Sequence, residues 1–463
     1  MATGTISSLG VGSGLDLNGM LDKLRAVDEQ VITTKKDSIA TTKSQMDEFT
    51  VVNNKLLTMK SAALDLSLST TFLARTATSS SVSALTVTVA DGTAVQSTAV
   101  AVGRIATKST LQSTGMAASA TSVNTSGVSE NFIYHAGGKD ITVAVAKDTT
   151  LSGLAYLINN DTDNPGVTAS IINDGTANPY KLVLKANDTG KDHEVTITSQ
   201  LPELNLAVPV DGPTGDTLNA QITIEGVSYQ RQTNAISDVL SGITLNLTGA
   251  GSSTVSVANN KDAVTKKIVD FVAAFNDVVQ EVSKNTAYNS DTKDFGILAR
   301  TTLRDLPYAL ENLMTSQVQA DSKSSVTNMF DLGMLFNRDG TISIDTTKLS
   351  AAITASPDSV SAFFLGDSTT GVTGLGDKVN AYLRETTSGT GQINAESTAA
   401  QARIDDIQLQ IDNMTELLNK KYDMLTKQFV ALDQYMGQMK SMGTYLTSQF
   451  DSLSSMLSSN SSK

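Results

Sequence analysis

Residues 404–463, IDDIQLQIDNMTELLNKKYDMLTKQFVALDQYMGQMKSMGTYLTSQFDSLSSMLSSNSSK, decide the fold. Apolar side chains return at every seventh position: Ile404, Ile411, Leu418, Leu425, Leu432, Met439, Leu446 and Leu453. Ile407 and Met414 fall at the three-residue step, and Tyr422, Phe429, Met436, Phe450 and Leu457 at the four-residue step. Such a repeat predicts one long helix built to lie along other helices. Two consecutive four-residue steps, Met414 to Leu418 to Tyr422, amount to a stutter that locally unwinds the supercoil. At a rise of ~1.5 Å per residue, Ile404 to Leu457 makes a rod of roughly 80 Å. Each large side chain on it gains about 1.5–3 kcal/mol by leaving water. The seam therefore needs partner helices, from elsewhere in the chain or from other copies, and assembly ranks ahead of chemistry.

The first partner is at the other end of the chain. From Asp16, an N-cap, apolar residues return at Leu17, Met20, Leu21, Leu24 and Val31, and a weaker seam runs through Met46, Phe49, Val52, Leu56, Met59 and Ala63 to Leu66. Together the two arms carry more stripe than their facing sides can cover, so contact with other chains is expected. The glycine-rich lead, residues 4–14, is not a phosphate loop, because no strand precedes it and no Gly-Lys-Ser/Thr follows. Both ends, Ser458 to Ser462 included, are expected to fray in the isolated protein. Met1 to Gly14 has no basic residue and no apolar core, so it does not read as a secretory signal.

Between the arms the period changes to two. Leu85, Val87 and Val89, then Val95 and Val100 to Val102 around Asp91-Gly92, read as strands. A loose Ser/Thr/Ala/Gly stretch covers about 107–130. Strand spacing returns at Ile141, Val143 and Val145, at 167–172, 181–184 and 195–198, with a short helix through Leu151, Leu154, Leu157 and Ile158. Pro202, Pro209, Asp211-Gly212 and Pro213 mark a second break, and strands follow at Ile222 and Ile224, Ile243 to Leu247, and Val255 and Val257. Whether strands before the loose stretch pair with those after the proline cluster is open from this pattern. Helical spacing resumes through Val264, Ile268, Phe271, Phe275, Val278 and Val282, which reads as intramolecular core, and again through Leu306, Leu310 and Leu313.

The fold class is thus α+β and multidomain, with antiparallel long helices from both termini and two β-rich domains in the middle. The expected divisions are a leg segment 1–44, a helical domain 45–71 with 259–403, an inner β-rich domain 72–106 with 216–258, an outer one 107–215, and a leg helix 404–463.

Composition bounds the function. Net charge is -13, which argues against nucleic acid or an anionic membrane surface as partner. Cysteine is absent, which removes disulfides and thiolate metal sites. No run approaches the ~18 apolar residues of a membrane span. The two histidines, His135 and His193, have no spaced partner of the kind that metal or nucleophile sites require. Asn337 to Gly340 reads as a hairpin turn, since Leu335 and Thr346 stand where a calcium loop needs acidic ligands. Carboxylate pairs such as Asp28-Glu29 and Asp405-Asp406 read as solvated helix faces. No catalytic, cofactor or metal site is assigned.

Several blocks resemble one family. Ser8-Leu9-Gly10-Val11-Gly12-Ser13-Gly14-Leu15-Asp16-Leu17-Asn18 is similar to the amino-terminal signature of the flagellar filament cap family, hook-associated protein 2 (FliD). Leu332-Gly333-Met334 through Asp339-Gly340-Thr341-Ile342-Ser343-Ile344-Asp345, with Lys348-Leu349 and Phe363-Phe364, resembles a second block of that family, and Gln428-Phe429 with Leu432 and Met436 its carboxy-terminal helix. Residues 139–198 resemble a repeat also inserted in flagellins. The resemblance implies a non-enzymatic cap at the distal tip of the bacterial flagellar filament, exported by the flagellar type III apparatus. It implies a homo-oligomeric ring whose terminal helices act as legs, promoting flagellin polymerisation and preventing flagellin loss to the medium. Implied partners are flagellin, hook-filament junction proteins and a cytoplasmic export chaperone on the C-terminal helix, with no nucleic acid and no membrane insertion. By matching position and by the seam, the expected oligomer and filament contacts are Leu17, Leu21, Leu24, Leu418, Tyr422, Leu425, Phe429, Leu432, Met436, Leu446 and Phe450. The alternative is a secreted adhesin that binds glycans through the β domains.

Overall fold

A computed structural model describes residues 10–209, 212–291, 293–320 and 324–460, with side chains as far as Met456 at the carboxy-terminal end. The expectations placed on residues 4–9, on Asp211, on the Leu457 side chain and on the serines after Asn460 lie outside the described residues. The chain divides into two compact units, residues 1–68 with 266–463, and residues 69–265. Helices are α1 (Leu17–Leu66), α2 (Ser69–Phe72), α3 (Leu151–Asn159), α4 (Lys261–Thr286), α5 (Leu306–Met314), α6 (Thr346–Ala355), α7 (Pro357–Leu365), α8 (Leu375–Thr386) and α9 (Gln392–Asn460).

In the first unit α1 starts where the sequence places it, with the Asp16 carboxylate accepting from the Gly19 amide. It runs antiparallel to α9: Arg25 reaches Asn419, Lys35 reaches Gln410, and Asp28 meets Lys421. Ile32 and Ile39 of α1 pack with Ile404 and Ile411 of α9, flanked by Met46, Ile407, Met414 and Leu418. The heptad positions thus meet across two arms of one chain. Farther along α1, Phe49, Val52, Leu56, Met59, Ala63 and Leu66 are fully buried, so the seam that is weak in sequence is the better covered half. On α4, Ile268, Phe271, Phe275, Val278 and Val282 are equally buried. Pro307 sits in the first turn of α5, where its missing N–H is no loss. Met334–Phe336 and Ile342–Ile344 pair around the Asn337 to Gly340 turn. Both α1 and α9 are continuous across 44/45 and 403/404.

The second unit holds strands β1 (Arg75–Ser79), β2 (Leu85–Val89), β3 (Gln96–Arg104), β4 (Thr110–Gln112), β5 (Glu130–Ala136), β6 (Lys139–Val145), β7 (Val167–Asn173), β8 (Tyr180–Ala186), β9 (Thr196–Ser199), β10 (Ala220–Ile224), β11 (Val227–Arg231), β12 (Ala235–Leu240), β13 (Ile243–Leu247) and β14 (Gly251–Asn259). One sheet has the order β1-β14-β3-β10-β11 and another β12-β13-β2. Strands before residue 107 therefore pair with strands after 216, which settles the pairing that periodicity left open. Their inward residues, among them Leu85, Val100, Ile222, Leu245 and Val255, form one core. Two further sheets, β4-β8-β7 and β6-β5-β9, enclose with α3 a second core around Phe132, Tyr134, Val143, Leu154, Ile158 and Leu184.

The stretch 107–130 is less loose than its composition suggests. It contributes β4, and polar side chains fix the rest. The Ser113 hydroxyl accepts from the Leu182 amide, the Ser109 hydroxyl accepts from the Val195 amide, and the buried Asn124 amide donates to the carbonyls of Val128 and Val145. Order here comes from small side chains that complete backbone hydrogen bonds, and this leaves no apolar period to read.

Candidate interaction site on the terminal helices

Above the four-isoleucine core the α1/α9 seam turns polar. The Asp28 carboxylate accepts from the Lys421 ammonium at 2.7 Å and from the Tyr422 hydroxyl at 2.8 Å. Lys421, then Tyr422, holds the Asp28 carboxyl below its ordinary range, while burial and then the hydrogen bond to Asp28 push the Tyr422 phenol up to about 12. Arg25 bonds Glu29 and Asn419 and lies 5.8 Å over the Tyr422 ring. Asp28 is therefore a fixed seam contact, which corrects its reading as a solvated charge. A polar layer inside an apolar seam favours one register over its neighbours.

The seam ends at a latch. Asp433, 6% exposed on α9, accepts from the Gly12 amide at 3.2 Å, the Ser13 amide at 2.8 Å and the Ser13 hydroxyl at 2.6 Å. These donors, the Ser13 side chain foremost, hold its carboxyl at about 2. The lead turns back on itself through a Gly14 amide to Gly10 carbonyl bond, with φ of 99° at Gly10 and 79° at Gly14. Residues 10–14 thus form an anion cradle, and its anion is the chain's own Asp433. A methyl at Gly12 would stand 2.5 Å from the Asp433 carbonyl oxygen, and one at Gly437 would stand 3.2 Å from the Gly12 Cα. Gly437 serves close backbone approach between the lead and α9.

The residues expected to make contacts divide into two groups. Leu17, Leu21 and Tyr422 are buried within the chain, and Leu418, Leu425 and Phe429 are half-buried along the same seam. Leu24, Leu432, Met436, Leu446 and Phe450 are exposed, and from Gln438 to Met456 every residue of α9 is exposed. In the sequence these residues form one stripe. The structure spends its first part inside the protomer and leaves the tip bare. A second exposed row, Met20, Leu24, Val27 and Val31, runs along α1 at steps of four, three and four. That spacing was visible in the sequence, but the deeper seam beside it masked it.

The histidines belong to the second unit. His135 on β5 pairs through Nδ1 with Asp140 at 2.8 Å on an exposed hairpin, and His193 sits in a short helical turn. Asp339 accepts from the amide and hydroxyl of Thr341 inside its turn. Among the described residues no three His, Asp or Glu side chains gather as a metal site would need, and no helix is long and apolar enough to cross a membrane.

Comparison with known proteins places this geometry. The family described as flagellar hook-associated protein 2 matches at its N-terminus over residues 13–109 and at its C-terminus over 217–441, and the flagellin hook IN motif matches 132–188. Flagellar hook-associated protein 2 of Escherichia coli K12 is 29% identical over 469 residues, covering 96% of this chain and 98% of that protein. The B-type flagellar hook-associated protein 2 of Pseudomonas aeruginosa is 27% identical with the same coverage. The crystal structure of the D1-D2-D3 domains of the E. coli flagellar cap protein FliD aligns with a TM-score of 0.56 at 27% identity, covering 76% of this chain and 99% of that one. With both family halves matched at the two ends and the long terminal helices around β-rich middle domains, the chain belongs to the flagellar hook-associated protein 2, or FliD, family of flagellar cap proteins.

Proposed function

We propose that this chain caps the distal tip of the bacterial flagellar filament as an oligomer, promotes polymerisation of arriving flagellin and keeps it from the medium. The observation that carries the reading is the bare end of α9, where Met436, Met439, Leu446, Phe450 and Leu453 stay in water in the single chain. An apolar row of this length on one helix costs free energy until other helices cover it. The α1/α9 pair is the leg, closed on itself by the isoleucine core and the Asp433 latch, and the tip beyond the latch enters the filament lattice or meets neighbouring copies. Leu24, Leu432, Met436, Leu446 and Phe450 make those contacts. Leu17, Leu21, Leu418, Tyr422, Leu425 and Phe429 hold the leg together so that the contacts form.

A cap must bind well enough to stay and weakly enough to move on as subunits are added. Methionines at 424, 436, 439, 442 and 456 supply a pliable apolar surface that accepts more than one register. Passage through the flagellar export apparatus, an export chaperone on the α9 tip and contact with hook-filament junction proteins belong to the same reading. The chaperone has a physical rationale, since the tip is a long exposed apolar stripe to be shielded before assembly. No catalytic role is proposed. The adhesin alternative draws no support from relatives that are named as hook-associated or cap proteins. A deletion strain tests the proposal: flagellin should appear unpolymerised in the medium, and complementation with this chain should restore filaments. Full-length filaments in the deletion strain would overturn it.

A further inference from the structure

A groove of about 340 Å³ lies on the helical unit between α1, α9 and the loop at Arg300. Arg300 and Arg403 both line it, and neither guanidinium has a hydrogen-bond or ion-pair partner among the described residues. The Glu396 carboxylate in the groove makes no ion pair with either arginine; its Oε1 accepts from the Thr302 amide at 2.7 Å and hydroxyl at 2.6 Å. The loop is fixed in place: Gln45 of α1 donates to the Ile297 carbonyl at 2.7 Å. Two guanidiniums with unused donors, held by rigid elements, form a receptor for a carboxylate.

The groove lies on the same face of α1 as the exposed row, with Thr42 and Phe49 buried at its floor. Met20, Leu24, Val27 and Val31 extend along the same face, at about 100° per residue, to Thr42, Gln45 and Phe49 of the groove. Val31 and Thr42 are roughly 16 Å apart along the axis. A helix lying on the apolar row would therefore carry its next turns past the two arginines. This chain has 47 acidic against 34 basic residues, and its own long helices carry acidic side chains on exposed faces.

We propose that this surface receives a helix from a second copy of the chain, with apolar side chains on Met20, Leu24, Val27 and Val31 and a carboxylate clamped by Arg300 and Arg403. The inference rests on the oligomeric reading above and adds the surface and the charge that fix the neighbour. The apolar row supplies adhesion. The arginines set register and reject a copy that arrives without an acidic group at that height.

Sedimentation of the full-length protein over a range of concentration and sodium chloride tests it. Wild-type self-association should weaken with salt, and the Arg300→Gln/Arg403→Gln pair should weaken it by on the order of tenfold at low salt and flatten the salt dependence. Arg300→Lys/Arg403→Lys should recover part of the loss, while circular dichroism and the unfolding midpoint stay at wild-type values. Association unchanged in the Gln pair would overturn the clamp and leave the ring intact. A wild-type protein that stays monomeric throughout would overturn clamp and ring together. Inorganic phosphate that raises the unfolding midpoint of the wild type only, with association unaffected in both, would make the groove a small-anion site and overturn the clamp.

Discussion

Phe450→Ser separates what holds the protein together from what it assembles with. Phe450 is 68% exposed, so about a third of the ~1.5–3 kcal/mol that a buried aromatic side chain contributes is realised in the free chain. Serine in its place should cost the isolated protein under about 1 kcal/mol. On assembly the other two-thirds leaves water, so the variant forfeits about 1–2 kcal/mol per copy, roughly five- to thirty-fold in affinity for the tip. Ile411→Ala is the counterpart. It lies 5% exposed in the four-isoleucine core, where truncation costs about 2–5 kcal/mol. Thermal unfolding followed by circular dichroism should show Phe450→Ser near wild type and Ile411→Ala clearly lower. Binding of fluorescent protein to filament ends should show loss in Phe450→Ser. An equal drop in midpoint for the two variants, or undiminished tip binding by Phe450→Ser, would refute the division between leg and tip.

Two glycines in or against α9 should respond in opposite ways. Gly443 has no atom within 4 Å of an added methyl, so Gly443→Ala should stiffen the tip by up to about 1 kcal/mol, whereas Gly12→Ala must drive the lead roughly 0.9 Å from Asp433 to reach ordinary contact and should expose the Ser13 amide to hydrogen exchange. Because the folded Asp433 carboxyl sits at about 2, below its ordinary value, the latch is complete above about pH 4 and is lost as pH falls toward 2. Ser13 amide protection measured across that window should fall in the wild type and be low and flat in Asp433→Asn. The Glu48 carboxyl is raised, by burial first and then by the facing Glu281, which also pairs with Lys55 at 3.5 Å and Lys284 at 3.3 Å. A raised acid stabilises the fold below its unfolded value and loses that contribution as pH rises through the folded one, so unfolding of the helical unit should ease as pH climbs past about 4.5. Glu48→Gln should remove that slope while retaining Asn285 as a neighbour; an identical slope in the variant would contradict the assignment.

Much of the fold could be read locally. The heptads gave α9, Asp16 marked the start of α1, and Pro307 and the Asn337 to Gly340 turn behaved as their backbone chemistry requires. What escaped reading is what depends on distant partners. The pairing of β3 with β10 and β14 joins segments separated by the whole of 107–215, and alternation within each strand carries no record of its neighbour. The latch joins Ser13 to Asp433 across 420 residues, and neither a glycine-rich lead nor one aspartate on a helix announces the other. Residues 107–130 hide their order because hydroxyl and amide groups supply it. On the candidate site, the sequence located the stripe but could not divide it, since Leu21 and Leu446 look alike until the length of α1 shows which of them is covered.

In the proposed leg the α9 tip is bare in the single chain and becomes covered at the filament end. Hydrogen-deuterium exchange of residues 438–456, compared between the free protein and the same protein bound to filament tips, tests it most directly. Fast exchange in the free chain and strong protection on the filament tip are expected, with the isoleucine seam protected in both. Fast exchange of 438–456 in the bound state, or protection already present in the free monomer, would contradict it.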